Sequence, residues 1–391
     1  MNARDIRKNV HLLGAVDWDR RLFDALIPLP HGTSYNSYLV VGSEKTAILD
    51  SVDASKWDTL AAQLAALPAP DYIVAHHGEQ DHSGGIVMLV ERFPQATVVT
   101  NERCKAELID HLHIPAERFR VVADGETLPL GGKTLTFVFT PWVHWPETMC
   151  TWLEEDKLLF TCDLFGSHLA TSDLFADEAT VLAGAKRYYA EIMMPFAAQA
   201  EKNVEKLAQY PVQIICPSHG PLYDRPAFIM DLYREWASGE PKNLATLAYV
   251  SMHDSTRLMV DHLTAALALR GVAVERFELA TVDLGELASS LVDAATIIIG
   301  TPTVLTGPHP LAAHAAFLAN ALKPKARHVA VIGSYGWAGK TVERLAEMLS
   351  NFRGELLDPV MVKGMPRDEG YAALDALADT IAAKHAGLAA R

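Results

Sequence analysis

The chain has 391 residues, more than a single hydrophobic core usually serves, so two domains are expected. Half of its residues are hydrophobic, and its 24 glycines and 21 prolines are scattered, as in an ordinary globular protein. The 48 acidic and 34 basic residues give a net charge of −14, which argues against nucleic acid or an anionic membrane as the main partner.

The sequence lacks the marks of an exported or membrane-spanning protein. Its longest apolar runs have the length of buried strands, and its first residues show neither an apolar core nor a cleavage pattern. The four cysteines, Cys104, Cys150, Cys162 and Cys216, form no CxxC pair and no tight framework. These features predict a cytoplasmic protein whose thiols are buried and reduced.

Short apolar runs typical of strands dominate the first part of the chain. They lie at residues 35–41, 46–50, 72–76, 96–100, 134–139 and 149–152. Helical periodicity is found at residues 57–66, 86–93 and 178–199. This pattern predicts a mixed α/β domain with mainly antiparallel strands. The polar segment 237–243 (ASGEPKN) then predicts a boundary between domains over residues 1–242 and 243–391.

The second part of the chain alternates strands with helices. Strand-like runs lie at residues 244–252, 272–279, 294–302, 328–335 and 356–362, and helical segments at 256–270, 284–292, 311–322, 340–352 and 370–385. Five such units predict a parallel sheet wound on both faces, in which ligands bind beyond the carboxyl ends of the strands. That rule selects three loops: Ser251–Thr256, Thr301–Thr306 and Ser334–Gly339.

A segment rich in potential metal ligands follows the third predicted strand. Five of them lie within seven residues: His76, His77, Glu79, Asp81 and His82. Successive side chains of an extended backbone point to opposite sides. His77, Glu79 and Asp81 are therefore expected on one side of an extended loop, with His82 beginning the next turn. A lone histidine or acid is usually solvated or satisfied locally, but this density indicates a site for two metals.

Three further residues of ligand type each follow an apolar run. His144 lies in TPWVHWP, Asp163 ends LLFTCD, and His219 ends IICPSH. Each one alone is typical of a cap or a turn. Together with the first cluster they predict a site at the edge of a sheet.

These seven residues carry a family resemblance. His77-x-Glu79-x-Asp81-His82, followed by separated His, Asp and His, resembles the metallo-β-lactamase superfamily. Most hydrolases of that superfamily have histidine in place of Glu79; imidazole-rich sites suit zinc, whereas added carboxylates suit iron. The pattern therefore resembles the flavodiiron proteins, as do Gly32–Leu39 (GTSYNSYL) and Tyr188–Phe196 (YYAEIMMPF).

The resemblance implies the ligand set of each iron. One iron takes His77, Glu79 and His144; the other takes Asp81, His82 and His219; and Asp163 bridges them. His76 is an extra histidine beside the first ligand. It is expected to point into the core, and the alternative is a role in proton supply.

The first of the three C-terminal loops, Ser251–Thr256, predicts a phosphate site. Its hydroxyls and the free N–H groups of the following helix can hold a phosphate monoester without a cation, although such a turn is often only an N-cap. It is neither GxGxxG nor a P-loop, which disfavours NAD and ATP. The segments Gly300–Pro308 (GTPTVLTGP) and Gly333–Lys340 (GSYGWAGK) resemble the isoalloxazine-contacting loops of flavodoxin-like domains.

This second resemblance implies a bound FMN. The implied contacts are Ser251, Met252, Asp254, Ser255, Thr256, Pro302, Thr303, Val304, Leu305, Ser334, Tyr335, Gly336, Trp337 and Gly339. Tyr335 or Trp337 is expected to stack on the ring or shield it. Leu305 and Thr306 depart from the family, where asparagine is common, and this bears on the hydrogen bonding of the ring.

The resemblance spans nearly the whole chain and implies a fold, a reaction and partners. The fold is a metallo-β-lactamase-like αββα sandwich followed by a flavodoxin-like domain, and the cofactors are two irons and FMN. The implied reaction reduces O2 to water or NO to N2O. Because no rubredoxin module is appended, the electrons come from a separate donor such as a rubredoxin or the deazaflavin F420. A head-to-tail homodimer, or a dimer of dimers, is expected to bring one chain's flavin beside the other chain's irons.

Two other functions compete with this interpretation. The first is a zinc hydrolase fused to a flavodoxin module, which Glu79 disfavours. The second is an electron carrier with a structural metal, although structural sites usually close with thiolates or imidazoles. The choice between O2 and NO stays open because both kinds of family member share the ligands; an O2-scavenging role is favoured.

Overall fold

The computed structural model describes residues 2–337 and 339–390, and the chain divides into two compact units. The first unit comprises Met1–Tyr189 and Phe196–Ala237, and the second comprises Ala190–Pro195 and Ser238–Arg391. The division after Ala237 lies at the start of the polar segment that predicts a domain boundary. No helix in the described part of the chain is long and apolar enough to cross a membrane.

The first unit is built from two sheets and the helices around them. Its strands are β1 (Arg4–Arg7), β2 (Val10–Asp17), β3 (Leu22–Phe23), β4 (Ile27–Pro28), β5 (Thr33–Val41), β6 (Thr46–Leu49), β7 (Tyr72–Val74), β8 (Thr97–Thr100), β9 (Phe119–Val121), β10 (Thr127–Pro129), β11 (Thr134–Phe139), β12 (Met149–Leu153), β13 (Leu158–Cys162) and β14 (Ile214–Pro217). Its helices are α1 (Trp57–Leu64), α2 (Gln80–Ser83), α3 (Ile86–Arg92), α4 (Glu102–Leu112), α5 (Glu178–Tyr188), α6 (Ala197–Leu207) and α7 (Pro226–Ala237).

The two sheets pack face to face. One has the order β1-β2-β5-β6-β7-β8-β9 and the other β10-β11-β12-β13-β14. Alternate residues of β5 serve different cores: Val40 faces the second sheet, together with Phe137 and Phe160, whereas Leu39 faces the helices, together with Leu60. The strand β5 is therefore buried on both faces along nearly its whole length, although its first half is rich in polar residues.

Strand directions follow the prediction of mainly antiparallel pairing. The first sheet is antiparallel from β1 to β6 and parallel from β6 to β9. The second is antiparallel from β10 to β13, and β14 joins it in parallel. Outside the sheets, α6 is held against β11 by Lys206, whose Nζ donates to Phe139 O at 2.8 Å.

Some predicted elements of the first unit were wrong or missing. The single helix predicted over 178–199 is broken: α5 ends at Tyr188, a π-helical turn and a 3-10 turn follow, and α6 begins at Ala197. Pro195 explains part of this break because proline has no N–H to continue a helix. The strand β2 was not predicted; its interior contains Gly14 at φ +105°, which weakens the strand signal.

The second unit contains the predicted parallel sheet. Its strands are β15 (Leu244–Tyr249), β16 (Ala273–Glu278), β17 (Thr296–Val304), β18 (Gly307–Pro308), β19 (His328–Tyr335), β20 (Glu355–Leu356) and β21 (Val360–Lys363). Its helices are α8 (Ser255–Leu269), α9 (Leu284–Leu291), α10 (Pro310–Leu322), α11 (Thr341–Met348) and α12 (Asp368–Lys384). The strand order is β16-β15-β17-β19, with β20 and β21 beside β19. This is a doubly wound order, because the sheet grows from β15 to β16 on one side and from β17 onward on the other. The switch point therefore lies between β15 and β17.

Two details complete the comparison with the predicted elements. The segment predicted as a loop at 301–306 is mostly strand, since β17 continues through Val304 and Thr303 pairs with Pro308 of β18. The four cysteines are buried and free of disulfide bonds, which confirms the predicted thiols.

Candidate functional site

Metal-binding side chains converge beyond the strand ends of the first unit. The seven predicted ligands form two adjoining groups: His77, Glu79, His144 and Asp163 in one, and Asp81, His82 and His219 in the other. Within each group the ligand atoms lie within 4.8 Å of one another. The loops after β7, β11, β13 and β14 and the short helix α2 supply them.

The first group is centred on two carboxylates. Glu79 Oε2 lies 3.1 Å from His77 Nε2 and 3.0 Å from His144 Nε2. Asp163 Oδ2 lies 3.4 Å from each of the same two nitrogen atoms. Two imidazoles and two carboxylates therefore face one small volume, a mixed nitrogen and oxygen donor set that suits iron.

The second group uses the other oxygen of Asp163. Asp163 Oδ1 lies 3.0 Å from His82 Nε2 and 3.3 Å from His219 Nε2. Asp81 Oδ2 lies 3.2 Å and 3.1 Å from these nitrogen atoms. Asp163 thus presents one oxygen to each group.

The local backbone explains why Asp81 departs from the predicted alternation. An extended loop would put Asp81 beside His77 and Glu79, but α2 begins at Gln80. The helical turn carries Asp81 and His82 to the second group instead. The alternation argument was therefore wrong for Asp81, although all seven residues meet at one place.

Several ligand-type atoms have no hydrogen-bond partner within the described residues. They are buried, and they are both carboxylate oxygens of Asp81, His82 Nε2 and Asp163 Oδ2. Buried polar atoms are rarely left unpaired, because each costs about 1–3 kcal/mol. Atoms of mixed nitrogen and oxygen type that point into one space fit two metal ions.

Outer hydrogen bonds fix two of the four histidines, His77 and His219, so that Nε2 faces inward. Glu147 Oε1 lies 2.5 Å from His77 Nδ1 and also accepts from Gly78 N at 3.0 Å. His219 Nδ1 donates to Ser34 O at 2.7 Å. Such partners set the tautomer and orientation of ligand histidines.

The bridging position has its own support. The Tyr188 hydroxyl donates to Asp163 Oδ1 at 2.8 Å. The roles of Tyr188, Glu147 and Ser34 were not predicted. Glu147 follows His144 by three residues, and Ser34 and Tyr188 lie in the two other segments that resemble the family, so the sequence did contain signals for them.

The charges in the two groups stabilise one another. Burial disfavours a charged His219, but the neighbouring carboxylates of Asp163 and Asp81 outweigh it and raise the pKa of His219 to about 10. Burial likewise disfavours a charged His144, but Asp163 and Glu79 outweigh it and raise the pKa of His144 to about 9. Burial opposes ionisation of Asp163 too, yet the surrounding imidazoles hold its pKa well below the ordinary value. A bound cation would displace the imidazole protons.

His76 lies in the core, as expected. Its side chain is 1% exposed, with Nδ1 at 2.7 Å from Asp50 Oδ2 and Nε2 at 2.7 Å from Thr151 Oγ1. Both ring nitrogens are thus occupied by neighbours outside the ligand groups.

The three loops of the second unit follow the neighbouring strands β15, β17 and β19. Ser255 Oγ and Ser334 Oγ are 2.7 Å apart, which joins the first loop to the third. Lys340 N donates to Thr306 O at 2.9 Å and joins the third to the second. The predicted residues therefore line one edge of the sheet, as in a site at a topological switch point.

The first loop fits a phosphate group. Thr256 Oγ1, in the first turn of α8, is buried and has no hydrogen-bond partner within the described residues. Asp254 adopts a left-handed conformation (φ +63°) and its side chain does not cap the helix. Arg257 was not predicted; its Nε donates to Asp254 Oδ1 at 2.9 Å and adds a positive charge beside the loop.

The same edge exposes large apolar side chains that suit an aromatic ring. Leu305 is 88% exposed and Trp337 is 72% exposed, and Met252 is more than half exposed. Gly339 lets the second and third loops approach, since a Cβ there would lie 2.6 Å from Thr303 Cγ2.

Comparisons with known proteins find relatives that match nearly the whole chain. Residues 33–220 match the family model described as ODP family beta lactamase. The chain is 34% identical to rubredoxin-oxygen oxidoreductase of Megalodesulfovibrio gigas, with 98% of each chain covered. It is 33% identical to nitric oxide reductase of Moorella thermoacetica (97% of this chain, 98% of that one) and to coenzyme F420H(2) oxidase of Methanothermobacter marburgensis (89% and 90%).

Solved structures also resemble this chain over nearly its whole length. Rubredoxin oxygen:oxidoreductase from Desulfovibrio gigas superposes with a TM-score of 0.95 at 32% identity and 98% coverage of both chains. The flavodiiron protein from Giardia intestinalis gives 0.89 at 25% identity and 99% coverage of both. The chain belongs to the flavodiiron protein family.

Membership confirms the predicted fold and the predicted class of enzyme. The family consists of oxidoreductases that combine a metallo-β-lactamase-like domain carrying a non-haem di-iron centre with a flavodoxin-like domain carrying FMN. The zinc hydrolase and the simple electron carrier are therefore disfavoured for this flavodiiron protein.

One departure from the family has a measurable cost. Leu305 (φ +48°) and Thr306 (φ +65°) form the two-residue turn between β17 and β18, in the left-handed region that asparagine tolerates better. We expect Leu305→Asn to raise the free energy of unfolding by about 0.5–1 kcal/mol, measured by urea denaturation. Leu269→Asn is the control, because Leu269 is equally exposed but helical. An equal change in the free energy of unfolding for both substitutions would contradict backbone strain at Leu305.

Proposed function

We propose that this flavodiiron protein reduces O2 to water, and NO to N2O as a second activity, at two irons in its N-terminal domain. The proposed ligands are His77, Glu79 and His144 for one iron, Asp81, His82 and His219 for the other, and Asp163 between them. The observation that carries this proposal is the position of Asp163, whose two oxygens face different groups of imidazoles.

We propose that the domain boundary lies between residues 242 and 243 and that each domain holds a different cofactor. Residues 1–242 hold the metals, and residues 243–391 hold FMN on the loops after β15, β17 and β19. Two irons and one reduced FMN together supply the four electrons that take O2 and four protons to two waters. Two electrons and two protons suffice to convert two NO to N2O and water.

The protein's own groups would bind the metals, orient the metal ligands and shield the site from water. Glu147 and the Ser34 carbonyl hold the ligand imidazoles with Nε2 inward, and Tyr188 holds Asp163. Burial of His77, His82 and Asp163 keeps bulk water away from the reacting groups.

The relatives support the substrates and the donor. We propose O2 as the principal substrate because a relative of almost the same length, at 34% identity, is named rubredoxin-oxygen oxidoreductase. The same name supports a rubredoxin as donor, and the F420H(2) oxidase supports a reduced deazaflavin as the alternative donor. Unpaired, buried cysteines support a reducing compartment, and we propose a cytoplasmic location.

The choice of iron over zinc is tested at Glu79. Replacing its carboxylate by imidazole makes the first group resemble a zinc site, so Glu79→His should retain less iron and more zinc. Elemental analysis of protein from identical medium, together with the rate of O2 consumption, measures the change. Glu102→His, on an exposed turn of α4, is the control. Unchanged iron content and turnover in the Glu79 variant would count against the ligand assignment.

The proposed head-to-tail dimer is tested with hybrids. Glu79→Ala disables the metals, and Ser255→Ala with Thr256→Val disables the flavin. If each flavin serves the partner's irons, coexpression at random pairing should restore about a quarter of wild-type activity, because half of the dimers are hybrids with one intact pair of sites. Each variant alone should be inactive. No recovery in isolated, doubly tagged hybrids would contradict transfer between chains.

A further inference from the structure

A second carboxyl group lies behind the Glu147–His77 hydrogen bond. Glu147 uses Oε1 to accept from His77 and Gly78. Its other oxygen, Oε2, is buried and accepts from no N–H or O–H donor in residues 2–337 and 339–390. Oε2 of Glu107, on α4, is buried and equally without such a donor. The two carboxyl groups are neighbours beside Gly78, since a Cβ built there would lie 2.6 Å from Glu107 Oε2 and 3.6 Å from Glu147 Oε1.

Two carboxyl groups in contact need a proton between them, since two adjacent carboxylates repel strongly. Glu147 is the partner that accepts, because its Oε1 already faces two N–H groups, those of His77 and Gly78, as a carboxylate does. Glu107 Oε2 is buried beside Gly78, and no N–H donor in the described residues reaches it to stabilise a carboxylate there. Glu107 is therefore the group that carries the proton and can donate it.

The backbone around the pair is shaped for this contact. A Cβ at Gly78 would lie 2.6 Å from Glu107 Oε2, so glycine leaves the carboxyl group room that a larger residue would take. Asn101 caps α4 by accepting from Cys104 N at 3.1 Å, and its Nδ2 donates to Glu147 O at 2.6 Å. The helix that carries Glu107 is thereby tied to the segment that carries Glu147.

We propose that Glu107 is a positioning residue for the metal group around His77: its carboxyl O–H donates to Glu147 and holds Glu147 oriented on His77 Nδ1. The pair then carries one negative charge behind His77 instead of two. This inference rests on the proposed function, since it requires His77 to bind a metal.

The test measures metal affinity of the full-length protein, freed of metal and titrated with Co²⁺ against a competing chelator. Glu107→Gln keeps an N–H donor, and Glu107→Leu removes it at similar size. We expect wild-type protein and Glu107→Gln to bind two Co²⁺ equally well, and Glu107→Leu to bind one of the two at least ~10-fold more weakly. Glu102→Leu, an exposed position on the same helix, should match wild type.

The outcomes separate this inference from the metal site itself. Wild-type affinity in Glu107→Leu, or a loss in Glu107→Gln as large as in Glu107→Leu, would overturn the positioning role. Failure of the wild-type protein to bind Co²⁺ would overturn the proposed metal site and this inference with it. If Glu107→Leu does not fold, Glu107→Ala replaces it, because it also removes the carboxyl donor and should weaken the same Co²⁺.

Discussion

Asp163→Asn is expected to abolish reduction of O2 by this protein and to deplete its iron. Asp163 is the residue whose two oxygens serve both ligand groups, and asparagine offers one of them an N–H₂ group in place of an oxygen. The loss of a metal-binding carboxylate and its charge removes several kcal/mol of stabilisation, which corresponds to a rate lower by roughly 1000-fold or more. Elemental analysis and O2-electrode rates, both per bound FMN, measure the two effects.

The control must remove a hydrogen-bonded aspartate elsewhere in the same unit. Asp71→Asn does so: Asp71 accepts from Thr46 N at 2.9 Å and from Lys45 Nζ at 2.8 Å, and it belongs to neither ligand group. It should keep both irons and full turnover. Two irons and wild-type rates in the Asp163 variant would show that the bridging assignment is mistaken.

Ser255→Ala combined with Thr256→Val should release FMN while leaving the irons in place. Hydrogen bonds to a charged group contribute about 1.5–3 kcal/mol each, so two lost hydroxyls weaken FMN binding by roughly 100-fold or more. Valine keeps the shape of Thr256, and because Thr256 Oγ1 has no partner in the described protein, its removal should not lower the stability of the flavin-free chain. Flavin content after gel filtration and a fluorescence titration with FMN provide the measurement.

Riboflavin gives the sharper comparison for this pair of variants. The wild-type protein should bind FMN far more tightly than riboflavin, and the double variant should show a much smaller preference, because two of the hydroxyls that would hold the phosphate are gone. Thr264→Ala, on the same helix α8, loses a hydroxyl that donates to Val260 O and should retain all its flavin. Full copurification of FMN with the double variant would mean that the phosphate loop lies elsewhere.

Much of this fold could be predicted because many of its strands are short, largely apolar runs between turns. Runs such as Thr134–Phe139 and His328–Tyr335 are apolar and bounded by turns, and the structure has strands with those bounds. The ligand residues were visible because His144, Asp163 and His219 each follow an apolar strand. Strand ends that meet at one edge bring such residues together.

Other features depend on contacts that local sequence does not encode. The break at residues 189–196 lies in a segment with continuous helical periodicity, and the grouping of Asp81 with His219 depends on where α2 begins. Glu147 meets His77 across 70 residues of chain, and Glu107 joins them from a helix that periodicity did not predict. Long-range hydrogen bonds of this kind follow from tertiary packing rather than from a motif.

The most direct test of the di-iron and flavin account is a single rapid-mixing measurement. The purified protein is reduced without oxygen and mixed with limiting O2 while flavin absorbance and hydrogen peroxide are followed. Fast reoxidation of the flavin without peroxide is the predicted result, because four electrons then reach O2 and form water. Slow reoxidation with one peroxide per flavin would contradict the account, because it would show ordinary flavin autoxidation with no contribution from the metal site.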